Sequence, residues 1–118
     1  MRRCMSLPIK WTPIAQQSLS EVIVYTFEEF GERQLKKLTS RIYKAVSRIS
    51  SFPLSGKLEN ELFEATGIEY RSIVVISEIK LLYTVNEENV YIEFVKNTRM
   101  DDATMLKKLN DILSIESQ

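Results

Sequence analysis

The stretch YRSIVVISEIKLLYTVNEENVYIEFVKNTR, residues 70–99, contains three consecutive runs rich in Ile, Val, Leu and Tyr. These residue types suit a pleated, half-buried surface, and we predict strands over residues 70–76, 79–85 and 90–96. The gaps between the runs are two and four residues long, and gaps this short force neighbouring strands to run antiparallel. The longer gap contains Asn86 and Asn89, which tolerate turn conformations. The stretch therefore predicts a three-stranded antiparallel meander.

Side chains alternate between the two faces of a sheet, so the register of the meander sorts its residues. The first turn places Ile76 opposite Ile79, and the second places Val85 opposite Val90. One face is then almost wholly apolar and is predicted to be the core: Ser72, Val74, Ile76, Ile79, Leu81, Tyr83, Val85, Val90, Ile92 and Phe94. The opposite face mixes charged and aliphatic side chains: Arg71, Ile73, Val75, Lys80, Leu82, Thr84, Tyr91, Glu93 and Val95. This mixed face is either a partly solvated surface or a binding surface for a ligand or partner.

The composition is that of one ordinary globular domain spanning residues 1–118, of which residues 1–6 form an irregular leader. Hydrophobic residues make up 44% and charged residues 27% of the chain, as in most globular proteins. No apolar run approaches the length of a membrane span, and we expect no membrane association. Cys4 is the single cysteine and histidine is absent, which excludes an internal disulfide and argues against zinc or Cys–His catalysis. We therefore expect a cytoplasmic protein without a metal or cofactor.

The formal net charge is zero, which argues against a protein whose main task is to coat nucleic acid. The charge is nevertheless uneven. Residues 32–48 contain six Lys or Arg and one Glu, whereas residues 57–69 contain four Glu and one Lys.

The segment before the meander predicts a short strand over residues 7–11 followed by two helices. Thr12-Pro13 is typical of a helix start, with a hydroxyl N-cap and Pro at the first helical position. Apolar residues recur at helical spacing on both sides of Gly31, which favours an αα-hairpin of residues 13–30 and 32–50. After residue 99, Asp101 or Asp102 predicts the start of a C-terminal helix. The predicted fold class is α+β, with an N-terminal strand, an αα-hairpin packed on an antiparallel β-sheet, and a short C-terminal helix.

The second predicted helix carries a stripe of basic residues roughly opposite its apolar seam. The stripe comprises Arg33, Lys37, Arg41, Lys44 and Arg48. It is either a solvated outer face or a docking surface for an acidic partner or nucleic acid.

The order of these elements and several short motifs resemble the RelE/ParE superfamily of type II toxin–antitoxin toxins. The opening motif comprises Trp11, Thr12, Pro13, Ala15, Leu19, Val22 and Tyr25. Phe52-Pro53 with Gly56 is similar to the F-P-x-x-G that follows the helices in this superfamily. The strand motif comprises Tyr70, Arg71, Lys80, Leu81, Leu82, Tyr83, Thr84 and Val85. Arg99 follows the last strand, where the superfamily usually carries Arg.

The resemblance implies one of two activities, both neutralised by a cognate antitoxin that wraps the toxin. RelE-like toxins cut mRNA in the ribosome, whereas ParE-like toxins bind DNA gyrase and trap it on broken DNA. For a RelE-like nuclease the implied catalytic residues are Lys80 and Arg99, which stabilise the charge of a phosphorane. Glu93 is the implied base, and Arg71 is a further candidate catalytic residue on the same face as Lys80 and Glu93.

Departures from the superfamily pattern favour the ParE-like interpretation. Histidine is absent, and Asn97 lies near the position where some members carry one. No Tyr follows Arg99, and Ser18 stands where an acidic residue is usual. We therefore expect a toxin that binds DNA gyrase. The alternatives are a ribosome-dependent mRNA endonuclease and a non-toxic interaction domain of the same fold.

Overall fold

The computed structural model describes residues 6–76 and 78–97. In chain order its elements are β1 (Ile9–Trp11), α1 (Pro13–Ser51), a 3₁₀ turn (Pro53–Ser55), β2 (Lys57–Leu58), α2 (Asn60–Thr66), β3 (Arg71–Ile76), β4 (Ile79–Val85) and β5 (Val90–Asn97). The predicted leader up to Met5, Arg99 and the predicted C-terminal helix lie outside the described residues. In the part of the chain that is described, no helix is both long enough and apolar enough to span a membrane.

The five strands form one sheet in the order β1-β5-β4-β3-β2. The predicted meander of β3, β4 and β5 is confirmed, with Ile76 opposite Ile79 and Val85 opposite Val90. β1 pairs in parallel with β5, so the sheet is mixed rather than wholly antiparallel as predicted. The reason is that the long helical connection leaves the direction of β1 free of any hairpin constraint.

Two β-bulges change the predicted faces of the sheet. The register shifts between Val74 and Ile76 on β3, and between Leu82 and Tyr83 where β4 meets β5. Each bulge adds one residue to one strand, which inverts the side-chain alternation beyond it. As a correction to the predicted faces, some residues leave the helix-facing side, namely Ser72, Val74 and Phe94, and others join it, namely Ile73, Val75 and Val95.

The two predicted helices, residues 13–30 and 32–50, form one helical element, α1, of 39 residues that is kinked at Gly31. Within it only Gly31 leaves helical geometry, with φ 86° and ψ −179°. Glycine adopts such a positive φ without a steric penalty. A single glycine therefore suffices to redirect the helix, as the prediction of two helices separated only by Gly31 requires.

The kink at Gly31 reverses the direction of α1. A straight helix would place Ser50 about 55 Å from Pro13 at 1.5 Å per residue. Instead the backbone N–H of Leu7 donates to the carbonyl of Ser50 at 3.1 Å, and the Ser50 hydroxyl donates to the Leu7 carbonyl at 2.8 Å. Since Leu7 is only a few residues from the start of α1, the two arms, residues 13–30 and 32–51, must fold back on one another.

Both arms of α1 bury apolar residues against one face of the sheet. The arms contribute Ala15, Val22, Leu38, Ile42, Ala45 and Ile49, and the sheet contributes Val75, Ile79, Leu81, Tyr83, Val90, Ile92 and Val95. A smaller cluster lies on the other face, where α2 covers part of the sheet: Ile14, Leu62, Tyr70, Leu82 and Phe94. The predicted mixed face is therefore partly buried, and only the remainder is accessible.

Hydrogen bonds join the first turn of α1 to β5. The Thr12 hydroxyl accepts from the Ala15 amide at 3.1 Å and donates to the carbonyl of Ile92 at 3.2 Å. The buried Ser18 hydroxyl accepts from the Val95 amide at 2.9 Å. Thr12 is thus the predicted N-cap, and Ser18, which departs from the superfamily pattern, has a structural role.

Candidate functional site

Lys80 lies on the face of the sheet that α2 partly covers, beside a carboxylate that sequence reasoning had not selected. The Lys80 Nζ lies 3.9 Å from Glu59 Oε2, and the side chains are 29% and 18% exposed respectively. The Ser72 hydroxyl donates to the same Glu59 oxygen at 2.5 Å. Glu59 reaches this position because it follows β2 directly and its amide bonds to the Tyr70 carbonyl. The positive charge of Lys80 is therefore paired with the carboxylate of Glu59 at a partly buried position.

Glu93 shares this face with Lys80 but lies farther along the sheet. Its Oε2 accepts from the Thr84 hydroxyl at 2.7 Å. Thr84 and Lys80 are four residues apart on β4, which separates their Cα atoms by about 13 Å. Burial, and secondarily the negative charge of Glu93, raise the pKa of the Tyr70 hydroxyl. Glu93 thus belongs to a group with Thr84 and Tyr70 rather than with Lys80.

Arg71 lies on the helix-facing side, which corrects the prediction that it shares a face with Lys80. Its Cα is in register with Tyr83, because the bulge in β3 inverts the alternation before Ile76. The Arg71 guanidinium donates to the carbonyl of Gly56 at 3.0 Å and to that of Leu54 at 3.4 Å. Of the described candidate catalytic residues, the structure therefore brings none within hydrogen-bond reach of another.

Tyr83 anchors the loop that follows α1, and sequence reasoning missed this role. Its hydroxyl accepts from the Gly56 amide at 2.9 Å and donates to the Pro53 carbonyl at 2.8 Å. Burial raises the pKa of this hydroxyl, and the hydrogen bond from Gly56 and nearby Arg71 partly oppose the rise. A side chain at position 56 would overlap the Tyr83 hydroxyl and lie 2.8 Å from the Ser72 carbonyl. The F-P-x-x-G motif therefore needs its glycine for close packing.

A basic groove of about 610 Å³ lies between the second arm of α1 and this anchored loop. It is lined by Lys44, Ser47, Arg48, Ser51, Phe52 and Ser55. The lining contains two cations, three hydroxyls and one aromatic ring, and no carboxylate. Two of the five residues of the predicted basic stripe, Lys44 and Arg48, therefore line a concave surface rather than a flat helix face.

A second exposed feature is an apolar patch beside the kink of α1. Val24, Phe27 and Phe30 are 53%, 53% and 56% exposed, and they lie three residues apart on one side of the first arm. The ring of Phe30 meets the ring of Tyr25 edge to face, with centroids 6.2 Å apart. Large apolar residues exposed together are typical of protein-binding surfaces.

The described candidate residues Lys80, Glu93 and Arg71 have separate partners. General acid–base catalysis requires groups within hydrogen-bond reach of one reacting centre, and the described candidates are dispersed. Across residues 6–76 and 78–97, no group of three or more acidic, Cys or His side chains is placed to hold a metal ion.

Comparison with known proteins supports one family. Residues 9–102 match the model of the ParE toxin of the type II toxin–antitoxin system, parDE. Among solved structures, the chromosomal ParDE TA system from P. aeruginosa contains a chain with a TM-score of 0.62 and 16% identity, covering 79% of this chain and 97% of that one. At this identity the similarity establishes the fold.

Two further structures are similar over comparable lengths. The YoeB-YefM complex from Staphylococcus aureus has 27% identity and a TM-score of 0.48, covering 76% of this chain and 94% of that one. The DinJ-YafQ toxin–antitoxin complex from E. coli has 8% identity and a TM-score of 0.49, covering 80% and 94%. No curated protein sequence matches the chain.

Proposed function

The chain belongs to the ParE toxin family of type II toxin–antitoxin systems, and on that premise we propose that it inhibits growth by binding DNA gyrase in the cytoplasm. We further propose that a cognate antitoxin neutralises it. The observation that carries the proposal is the family match over residues 9–102.

The positions of the candidate catalytic residues support a toxin that acts by binding. Lys80 is paired with Glu59, and Arg71 holds loop carbonyls on the other face. Glu93 accepts a hydrogen bond from Thr84 at 2.7 Å, and Thr84 lies about 13 Å along β4 from Lys80. A nuclease needs such groups around one phosphate, whereas a gyrase-binding toxin does not.

We assign contact with gyrase to the apolar patch of Val24, Phe27 and Phe30. The two Phe side chains are more than half exposed, and aromatic side chains supply much of the binding energy at protein interfaces. The patch lies at the kink of α1, away from the loop that the strand residue Tyr83 anchors. The patch is therefore accessible to a partner that binds the first arm of α1.

We assign contact with the antitoxin to the accessible part of the face that carries Lys80. Val74, the neighbour of Lys80 across the β3–β4 pair, is 58% exposed. Lys80 and Glu59 supply polar groups beside it. An antitoxin tail that folds on binding buries apolar and polar surface together, and this face offers both.

A supercoiling assay with purified gyrase and relaxed plasmid tests the proposal. The full chain in molar excess should block supercoiling and leave broken plasmid after protein is denatured. The variant Phe27→Ser/Phe30→Ser should lose this inhibition while its melting temperature changes little, because both side chains are exposed. The matched control Phe63→Ser/Ile68→Ser removes apolar residues that are 44% and 40% exposed elsewhere, and should inhibit normally.

Two outcomes would overturn the proposal. Supercoiling that continues unchanged at high excess of the full chain would remove gyrase as the target. Codon-linked mRNA cleavage in a translation extract, abolished by Lys80→Ala or Arg99→Ala, would instead establish the RelE-like alternative. For the antitoxin surface, Val74→Asp should weaken neutralisation while gyrase inhibition is kept; full neutralisation of this variant would remove the assignment.

A further inference from the structure

The basic stripe on the second arm of α1 is continuous with the basic groove. Lys37, Arg41, Lys44 and Arg48 lie on one ridge of the helix, and the ridge extends about 16 Å at 1.5 Å per residue. All four side chains are exposed. The last two line the groove. The ridge and groove together form one elongated positive surface.

These cations lack the partners that a merely solvated charged face usually has. Within residues 6–76 and 78–97, no carboxylate oxygen lies within 4 Å of any of the four. Lys36, on the neighbouring ridge, pairs with Glu32 at 3.7 Å. The surface therefore presents uncompensated charge to an anionic ligand.

The groove offers hydrogen-bond donors that match phosphate oxygens. The hydroxyls of Ser47, Ser51 and Ser55 stand beside the two cations, and Arg, Lys and Ser are the usual partners of a nucleic-acid backbone. The three serine hydroxyls can both donate to phosphate oxygens and accept from a ribose 2′-hydroxyl, so the test below compares DNA with RNA of the same sequence.

Exposed aromatic rings accompany the cations. Tyr43 is 76% exposed and lies one turn before Ser47 on the same side of the helix, and Phe52, on the groove wall, is 58% exposed. Bases of a single strand stack on such rings, whereas the bases of a duplex are already stacked on one another. A peptide of Asp and Glu alone would pair with the cations but would leave both rings unstacked.

The loop wall of the groove is held in place before any ligand arrives. Tyr83 bonds to the amide of Gly56 and the carbonyl of Pro53, and Arg71 bonds to the carbonyls of Leu54 and Gly56. A wall fixed in this way loses little conformational freedom on binding. We propose that the ridge and groove bind single-stranded DNA through its phosphate backbone, with Tyr43 and Phe52 stacking on its bases.

Fluorescence anisotropy of the full chain with a labelled single-stranded DNA of about twelve nucleotides tests this proposal. The assay contains no gyrase, so its result is independent of the proposed gyrase inhibition. The logarithm of the affinity should fall with the logarithm of salt concentration with a slope of about −3, for four phosphates at about −0.7 each. Lys44→Gln/Arg48→Gln should weaken binding at least tenfold and make the slope shallower by about 1.4.

Matched variants separate a specific site from general charge attraction. Lys10→Gln/Lys36→Gln makes the same change in net charge at exposed positions outside the groove and should bind within about twofold of the wild type. Tyr43→Ala should weaken binding about tenfold through lost stacking, and Tyr43→Phe should restore it.

Four results would overturn the inference. The first two are an equal loss of affinity in the control and groove variants, and an affinity that does not depend on salt. The third is tighter binding of RNA or duplex DNA of the same sequence than of single-stranded DNA. The fourth is displacement of the single-stranded DNA by a polyglutamate peptide at an equal concentration of charge. Saturable, salt-dependent binding that only the groove and Tyr43→Ala variants weaken would support it.

Discussion

Replacing Tyr83 by Phe should destabilise the domain although it removes a single oxygen atom. Tyr83 is fully buried, and its hydroxyl bonds to the Gly56 amide at 2.9 Å and to the Pro53 carbonyl at 2.8 Å. In the variant the buried Gly56 amide loses this partner, and leaving a buried donor unsatisfied costs about 1–3 kcal/mol. The Pro53 carbonyl is only part-buried, so water can replace its lost partner at smaller cost.

The expected decrease in the free energy of unfolding is therefore about 2–3 kcal/mol. For a domain of this size that corresponds to a melting temperature about 8–12 °C lower. Urea and thermal unfolding followed by circular dichroism measure both quantities. The matched control is Tyr43→Phe, which removes the same atom from a side chain that is 76% exposed and should change stability by less than about 0.5 kcal/mol.

A Tyr83→Phe variant as stable as the Tyr43→Phe control would refute the reasoning. It would mean that the loop of residues 52–56 is not held by the Tyr83 hydroxyl. The Tyr83 hydroxyl would then contribute nothing to the wall of the basic groove, and the same variant should show the wild-type affinity for single-stranded DNA.

Three further expectations follow from the same contacts. Gly56→Ala should lower stability by about 1–3 kcal/mol in urea unfolding, since the added methyl group would overlap the Tyr83 hydroxyl; an unchanged midpoint would contradict the packing. Thr12→Ala should lower the free energy of unfolding by about 1–2 kcal/mol, because the Thr12 hydroxyl caps α1 and bonds to β5. Its control, Thr39→Ala at an exposed mid-helix position, should lower it by less than about 0.5 kcal/mol. The folded state raises the pKa of Tyr70 and Tyr83, so the unfolded chain loses these protons first and stability should fall as pH rises above about 10; a fall equally steep in Tyr83→Phe would exclude Tyr83 as a cause.

The strands of the meander and the start of α1 were predictable because they depend on local properties. Alternating β-branched residues between short gaps predict adjacent antiparallel strands, and the hydroxyl of Thr12 followed by Pro13 predicts a helix N-cap. The resemblance to RelE/ParE toxins is confirmed by the family match. The strand and N-cap signals each lie within a short segment of chain, whereas the resemblance depends on the order of several motifs along it.

The face on which each site residue lies was not predictable in the same way. A bulge in β3 places Arg71 on the helix-facing side of the sheet, in register with Tyr83. The residues around this bulge carry no sequence pattern that predicts it. Glu59 was not selected as the partner of Lys80, because the acidic segment around it has no clear period. The position of Tyr83 within the strand motif was visible, but its bond to Gly56 required knowing which strands are neighbours.

By itself the sequence determined the three central strands and the break in helical geometry at Gly31, because each follows from residue type and spacing along the chain. The family was indicated by a resemblance, which the family match confirms. Only the tertiary structure decided that the bulges separate Arg71 from Lys80 and that the loop closes over Tyr83 to form the basic groove. The physical reason is that register and side-chain contact depend on residues distant in sequence. A one-residue shift in pairing moves a side chain to the opposite face of a sheet without changing any local propensity.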